Sequence, residues 1–159
     1  MSAGDLPAVL DIQAACYTAL VPESRQSLHA KLRASPSTCL VASISDETVG
    51  YLIALPWESS SPPALNTAEC RLPSSPDCLH LHDLAVTPAA RKLGAGRMLV
   101  QAFLARLEAS GLGGASLVAV QDSAPYWERF GFRAVPASAS LESTLSTYGQ
   151  EVRYMVRDS

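Results

Sequence analysis

Two histidines, His80 and His82, stand two apart in the apolar run LHLHDLAV at residues 79–86, with Asp83 directly after them. Imidazole titrates close to neutral pH, so a pair on one strand face can pass a proton from one group to another. Two core histidines that have each found a hydrogen-bond partner would give the same pattern. Strand alternation aims Asp83 away from the pair, unless a bulge beside a site re-aims it.

A second constellation follows at once. Arg91, Lys92, Leu93, Gly94, Ala95 and Gly96 form Arg-x-x-Gly-x-Gly, with Arg97 next, between a strand and a long helical pattern. Glycines let a backbone approach a ligand, and a helix start offers free N–H groups to an anion. Together they suit a pyrophosphate. The run lacks the Lys-Ser/Thr ending of a P-loop, and Leu99 stands where a dinucleotide fingerprint needs its third glycine.

Those residues need a scaffold, and its elements can be read along the chain. GDLPAVLDIQAACYTAL (4–20) reads as a helix capped by Asp5, with Pro7 in its first turn. PESRQSLHAKLRAS (22–35) reads as a second helix opened by Pro22. TCLVASI and VGYLIALPW make a hairpin around SDET. Residues 58–77, rich in Ser and Pro, form a long loop that suits a lid or a plain surface excursion. LHLHDLAV is the central strand, and GAGRMLVQAFLARLEASG a helix ended by Gly111. ASLVAV is a strand covered on both faces, SAPYWERF a short helix that Ser123 can cap, GFRAV a strand, and EVRYMVRD the strand that closes the sheet. The expected class is α/β (α+β), one domain over 1–159, with a mixed central sheet flanked by helices.

The bulk properties narrow the function. The chain has 159 residues, 48% of them hydrophobic, and a net charge of −3, which leaves no electrostatic footprint for nucleic acid or an anionic membrane. No apolar stretch is long enough to span a bilayer, and the first residues lack the basic and apolar regions of a signal peptide. Cys16, Cys39, Cys70 and Cys78 contain no Cys-x-x-Cys pair, so reduced thiols in the cytoplasm and no metal are expected. Oligomeric state is not encoded in any motif.

At this point the residues resemble a family. LAVTPAARKLGAGRMLV resembles the acetyl-CoA-binding motif of the GNAT superfamily of N-acetyltransferases, and SAPYWERFGF resembles that family's later motif, in the right order. Within it, LHLHDLAV is similar to the His-x-His-x-Leu-Ala-Val strand of the arylalkylamine (serotonin-type) branch, and PWESS, ERFGF and Pro22 echo the same branch. The resemblance implies a GNAT-like sheet with acetyl-CoA as co-substrate. Backbone groups of Leu84, Ala85 and Val86 would pair with the pantetheine arm, and Arg91 to Arg97 would hold the pyrophosphate. Pro22 and Trp57 would lie by the substrate. The family usually opens with a strand before the first helix, whereas this sequence begins almost in the helix, so a missing first strand is the expectation.

The implied reaction moves acetyl to a small primary amine, of arylalkylamine or polyamine type, by direct attack in a ternary complex. An alkylammonium has a pKa of roughly 10.4, so a base must take its proton first. His80 and His82 are the implied relay. Asp83 is a departure from the branch pattern, either a second base or an anchor for the substrate's ammonium. Trp127 stands where the family's tyrosine protonates the departing thiolate. Indole cannot do that, which leaves Tyr126 as the displaced acid and Trp127 as packing against the cofactor arm. A protein or peptide N-acetyltransferase and a low-turnover acyl-CoA-binding regulatory module are the alternatives.

Overall fold

A computed structural model describes residues 1–17, 22–59, 61–149 and 151–159. The first helix, α1 (Leu6–Cys16), buries Leu6, Val9 and Ile12 three apart, one stripe at helical spacing. Asp5 does not cap it. Its carboxylate accepts from the Ser2 backbone N–H at 2.6 Å and closes the 3-10 turn Ala3–Asp5 instead. The sequence reading carried α1 to residue 20, and 18–21 lie outside the described residues. The second helix, α2 (Arg25–Ala34), begins at a Ser24 cap that accepts from Ser27 N–H. Pro22 therefore precedes the helix rather than opening it, because Ser24 supplies the acceptor that a helix start needs.

The sheet is mixed and six-stranded. Its strands are β1 (Cys39–Ile44), β2 (Glu47–Trp57), β3 (Cys78–Val86), β4 (Gly114–Ala119), β5 (Arg133–Ala134) and β6 (Arg153–Asp158), in spatial order β1-β2-β3-β4-β6-β5. Ser45 and Asp46 turn the β1–β2 hairpin with φ of 49° and 66°. Among the described residues only β3 and β4 run parallel, joined by α3 (Ala95–Ser110). Among the described residues no strand precedes α1, and the Met1 ammonium donates to Cys39 O at 3.0 Å on the edge strand β1.

Each face of the sheet carries a core. On one side α3 seats Leu99, Val100, Phe103 and Leu107 against Leu52, Ala54, Leu79, Leu81 and Leu117. On the other, α1 and α2 seat Leu6, Val9, Ile12, Leu28 and Leu32 against Tyr51, Ile53 and Ala85. The last strand departs from expectation. It enters between β4 and β5 rather than closing the outer edge, and the GFRAV strand shrinks to two residues at that edge. A helix unseen in the sequence pattern, α5 (Ala139–Leu145), fills the connection and packs Leu141 and Leu145 on Tyr154. Ser123 stands before α4 (Ala124–Glu128) without capping it through its side chain.

Candidate functional site

The β3–β4 pair creates the site by coming apart. It pairs only from Leu79 to Leu81 on β3 and from Ala115 to Leu117 on β4, while β3 runs on to Val86. Beyond Leu81 the two strands diverge, so Leu84, Ala85 and Val86 have no strand partner on that side. A cavity of about 1010 Å³ opens there. Its walls run from α1 and the residues just before α2, along β3 and the loop before α3, to α4 and the Ser146–Gly149 turn.

One register irregularity sets the chemistry. Ile53 faces Asp83 and Ala54 faces Leu81, which leaves His82 as the extra residue of a bulge. The bulge cancels the alternation that would have sent Asp83 to the far face. His82 and Asp83 both line the cavity and both reach groups on the α1–α2 side.

His82 is buried, and its Nε2 lies 3.0 Å from Glu23 Oε2. Glu23 is a crowded acceptor. Its Oε1 takes Lys31 Nζ at 2.8 Å, Ser27 Oγ at 3.0 Å and the Asn66 backbone N–H at 2.5 Å. Gln13 fixes the Glu23 backbone through both its N–H and its C=O. Burial pushes the Glu23 carboxyl up, but His82 and Lys31 outweigh it and hold the group well below the usual carboxylate range. Glu23 is therefore ionised and can only accept, so His82 donates through Nε2–H. Its Nδ1 has no hydrogen-bond partner among the described residues.

His80 stands differently. It is 1% exposed, does not line the cavity, and places Nδ1 2.9 Å from Ser116 Oγ. Burial, with His82 nearby, pushes its pKa well below the ordinary 6.5. The two rings are tilted with centroids 6.1 Å apart. Unfolded His80 takes a proton near 6.5 while folded His80 does not, so the unfolded chain binds more protons as pH falls and stability drops. Between about pH 6.5 and 5, wild type is expected to lose stability more steeply than His80→Asn, by up to about 1.4 kcal/mol per pH unit. The variant leaves Asp83, whose raised pKa acts in the opposite direction, in place. Urea midpoints against pH read the difference, and parallel curves would contradict it.

Asp83 accepts from two phenols, Tyr17 at 2.6 Å and Tyr51 at 2.6 Å. Burial pushes its carboxyl up, and the two phenols pull it part of the way back. Burial, with Asp83 beside them, drives both phenols above their ordinary range, so they stay neutral donors.

At the other end, the 3-10 turn Pro88–Leu93 leads into Gly94, which has φ +84° and opens α3. A Cβ on Gly96 would meet Tyr126 Oη at 3.1 Å and Val86 Cγ2 at 3.6 Å, so glycine keeps the helix start open to a ligand. Arg91 lines the cavity and donates to Val86 O at 3.3 Å; Arg97 and Arg129 line it as well. The Tyr126 hydroxyl thus sits at the glycine loop, with the Arg129 guanidinium 5.0 Å from its ring centre. Trp127 is buried against Phe132 and also lines the cavity.

The structure gathers most of the sequence candidates on this cavity but not all. Pro22 lines it, whereas Trp57 points its Nε1–H at Ser61 O at 2.5 Å and does not. Lys92, Leu93 and Ala95 also stay off the wall, Leu93 being 66% exposed. Leu65 and Asn66 bring residues 58–77 to its rim. That loop is fastened by the Tyr148 hydroxyl on Pro63 O, the Tyr154 hydroxyl on Ser59 O and the Asp77–Ser59 pair. Sequence reasoning missed Glu23, Lys31, Tyr17 and Tyr51. A signal existed for the first two: Glu23, Ser27 and Lys31 recur every four residues, one polar stripe beside Leu28 and Leu32. Among the described residues no group of His, Cys, Asp and Glu could hold a metal ion, and no helix is long and apolar enough to cross a membrane.

A mixed sheet splayed between two parallel strands, with a glycine-opened helix at the mouth, is a single-domain α/β fold. The model of the Acetyltransferase (GNAT) family matches residues 6–132, and the chain belongs to that family. Among solved structures, a GNAT-like decarboxylase, GphF, in complex with isobutyryl-CoA aligns with a TM-score of 0.77 at 18% identity, over 99% of this chain and 96% of that one. Ard1 from Thermoplasma volcanium gives 0.74 at 14% identity, over 99% and 93%. The ribosomal-protein-S18-alanine N-acetyltransferase from Escherichia coli gives 0.68 at 16%, over 99% and 90%. These likenesses show the fold. No curated protein matches the sequence.

Proposed function

We propose that the chain transfers acetyl from acetyl-CoA to a small primary amine, with His82 as the base. The observation that carries this reading is the orphaned Nδ1 of His82, a fully buried side chain directly behind the cavity wall whose other nitrogen is committed to an ionised Glu23; His80 Nε2 is orphaned too, but His80 does not line the cavity. The His-x-His-x-Leu-Ala-Val pattern supports the same reading.

Acetyl-CoA fits the opposite end of the cavity. Leu84, Ala85 and Val86 offer backbone free of β4 for the pantetheine amides. Arg91, Arg97 and the first amides of α3 would take the pyrophosphate, with Gly94 and Gly96 giving room. Bound there, the thioester supplies an activated acetyl group. The chain's own residues do the rest. His82 Nδ1 takes the proton of the acceptor's ammonium, and Glu23 stabilises the imidazolium that results. Lys31, Ser27 and Asn66 keep Glu23 from turning away. His80, held neutral, packs beside His82 and keeps a second charge off it. Tyr126, with its hydroxyl at the glycine loop, is assigned to the cofactor's phosphate end rather than to the thioester. The thiolate leaves without a dedicated acid, since a thiol's pKa of roughly 8.5 makes it a fair leaving group.

Small acceptors are favoured over peptides by the fastened loop at 58–77, which brings Leu65 and Asn66 to the rim. Calorimetric titration with CoA tests the cofactor half. Wild type should bind, and Gly96→Val should weaken binding by at least about tenfold. Equal affinities would remove the pyrophosphate from the glycine loop. Release of free thiol from acetyl-CoA tests the acceptor half. Turnover with tryptamine, phenethylamine or spermidine supports the reading, turnover with a lysine peptide alone overturns it, and tight CoA binding with no turnover means a binding module.

A further inference from the structure

Among the described residues, Glu23 and Asp83 are the carboxylates on the cavity wall, and their surroundings differ. The Glu23 charge is matched by Lys31, and His82 Nε2 lies against its other oxygen. Asp83 has phenols but, among the described residues, no ion-pair partner. Of the arginines lining the cavity, Arg97 and Arg129 belong to the α3 and α4 end, while Arg91 is engaged with Val86 O and Cys16 Sγ and makes no ion pair with Asp83. A half-buried carboxylate that faces a cavity with only neutral donors on it is a receptor for a cation. Burial already disfavours its charge, and a bound ammonium would offset that.

The cation on Asp83 cannot be the nitrogen that reacts. That nitrogen must be neutral to attack, and a carboxylate holding it as ammonium would stabilise the ground state against the transition state. His82 Nδ1, one residue away on the same bulge, already serves that nitrogen. A cation held on Asp83 throughout is therefore a second one on the same molecule. The Cα atoms of neighbouring residues are about 3.8 Å apart, and side chains leaning into one cavity hold two ligand nitrogens roughly 5–7 Å apart, about three to five methylenes. Resting on the acetyl-transfer reading, we propose that Asp83, braced by Tyr17 and Tyr51, binds the second, non-reacting ammonium of a short diamine or polyamine acceptor. Asp83 then sets specificity, and its phenols keep the carboxylate aimed into the cavity.

The test is calorimetric titration of the full chain, saturated with CoA, by 1,4-diaminobutane and by 1-aminobutane. Wild type is expected to bind the diamine at least about tenfold more tightly, as one charge-assisted hydrogen bond allows. Asp83→Asn should remove that preference and leave CoA affinity unchanged. Where Asp83→Asn does not fold, Tyr17→Phe, which takes away one brace, should reduce the preference. Equal affinities in wild type, or a preference that survives in Asp83→Asn, would overturn the proposal. Turnover is read separately. A diamine preference without acetylated product overturns the acetyl-transfer reading and leaves the cation site standing. Acetylation of monoamines with no diamine preference does the reverse.

Discussion

His82→Gln is expected to lower the rate of amine acetylation at neutral pH by about 10²- to 10⁴-fold, the usual contribution of a placed general base. Glutamine can keep a donor on Glu23 Oε2, so the network around Glu23 persists while the lone pair at Nδ1 is gone. Affinity for CoA should stay near wild type, because the His82 side chain bonds Glu23 and none of the glycine loop. Steady-state rates at saturating acetyl-CoA read the effect, beside a CoA titration. A loss under about fivefold would take the base role away from His82.

Glu23→Ala is expected to have the largest effect on stability. Lys31 is 1% exposed, and its ammonium has Glu23 and Ser27 as partners. Removing the carboxylate strands a buried charge, and such losses run to about 3–5 kcal/mol. His82 and the Asn66 N–H lose their acceptor in the same step. The cost comes from the stranded charge rather than from the pair's own worth, so adding Lys31→Met to Glu23→Ala should return part of the stability. Urea midpoints of the two variants check both statements. A loss under about 1 kcal/mol in Glu23→Ala would mean that Lys31 finds water or another acceptor.

Both predictions turn on residues of which the sequence showed only half. The apolar LHLHDLAV run, the glycine loop and the α3 stripe of Leu99, Val100, Phe103 and Leu107 were legible because periodicity and glycine spacing are local properties. The order of elements around them was legible for the same reason. The partner of His82 was not, since Glu23 lies 59 residues away and its pairing depends on how α2 docks. The bulge at His82 was equally hidden. Nothing in the run says which residue will lack a partner on β2, and that choice alone decides whether Asp83 faces the cavity. Tyr51 sits in an unbroken apolar strand, where only its hydroxyl's need for a partner hinted at a polar group across the sheet. The insertion of β6 between β4 and β5 is a long-range pairing, and short strands such as Arg133–Ala134 carry too few residues to announce it. α5 was missed because Ser, Ala and Pro dominate residues 136–146, a composition that reads as loop until Leu141 and Leu145 find Tyr154.

The central claim is that His82, oriented by Glu23, removes the acceptor's proton before attack. The pH–rate profile of kcat for one small amine, wild type beside His82→Gln, tests it most directly. Wild type should rise with pH to a plateau through one ionisation. The variant should lack that plateau and keep rising toward the acceptor's own pKa of roughly 10.4, where the amine is neutral without help. Profiles of the same shape in both proteins would contradict the account and place the base elsewhere.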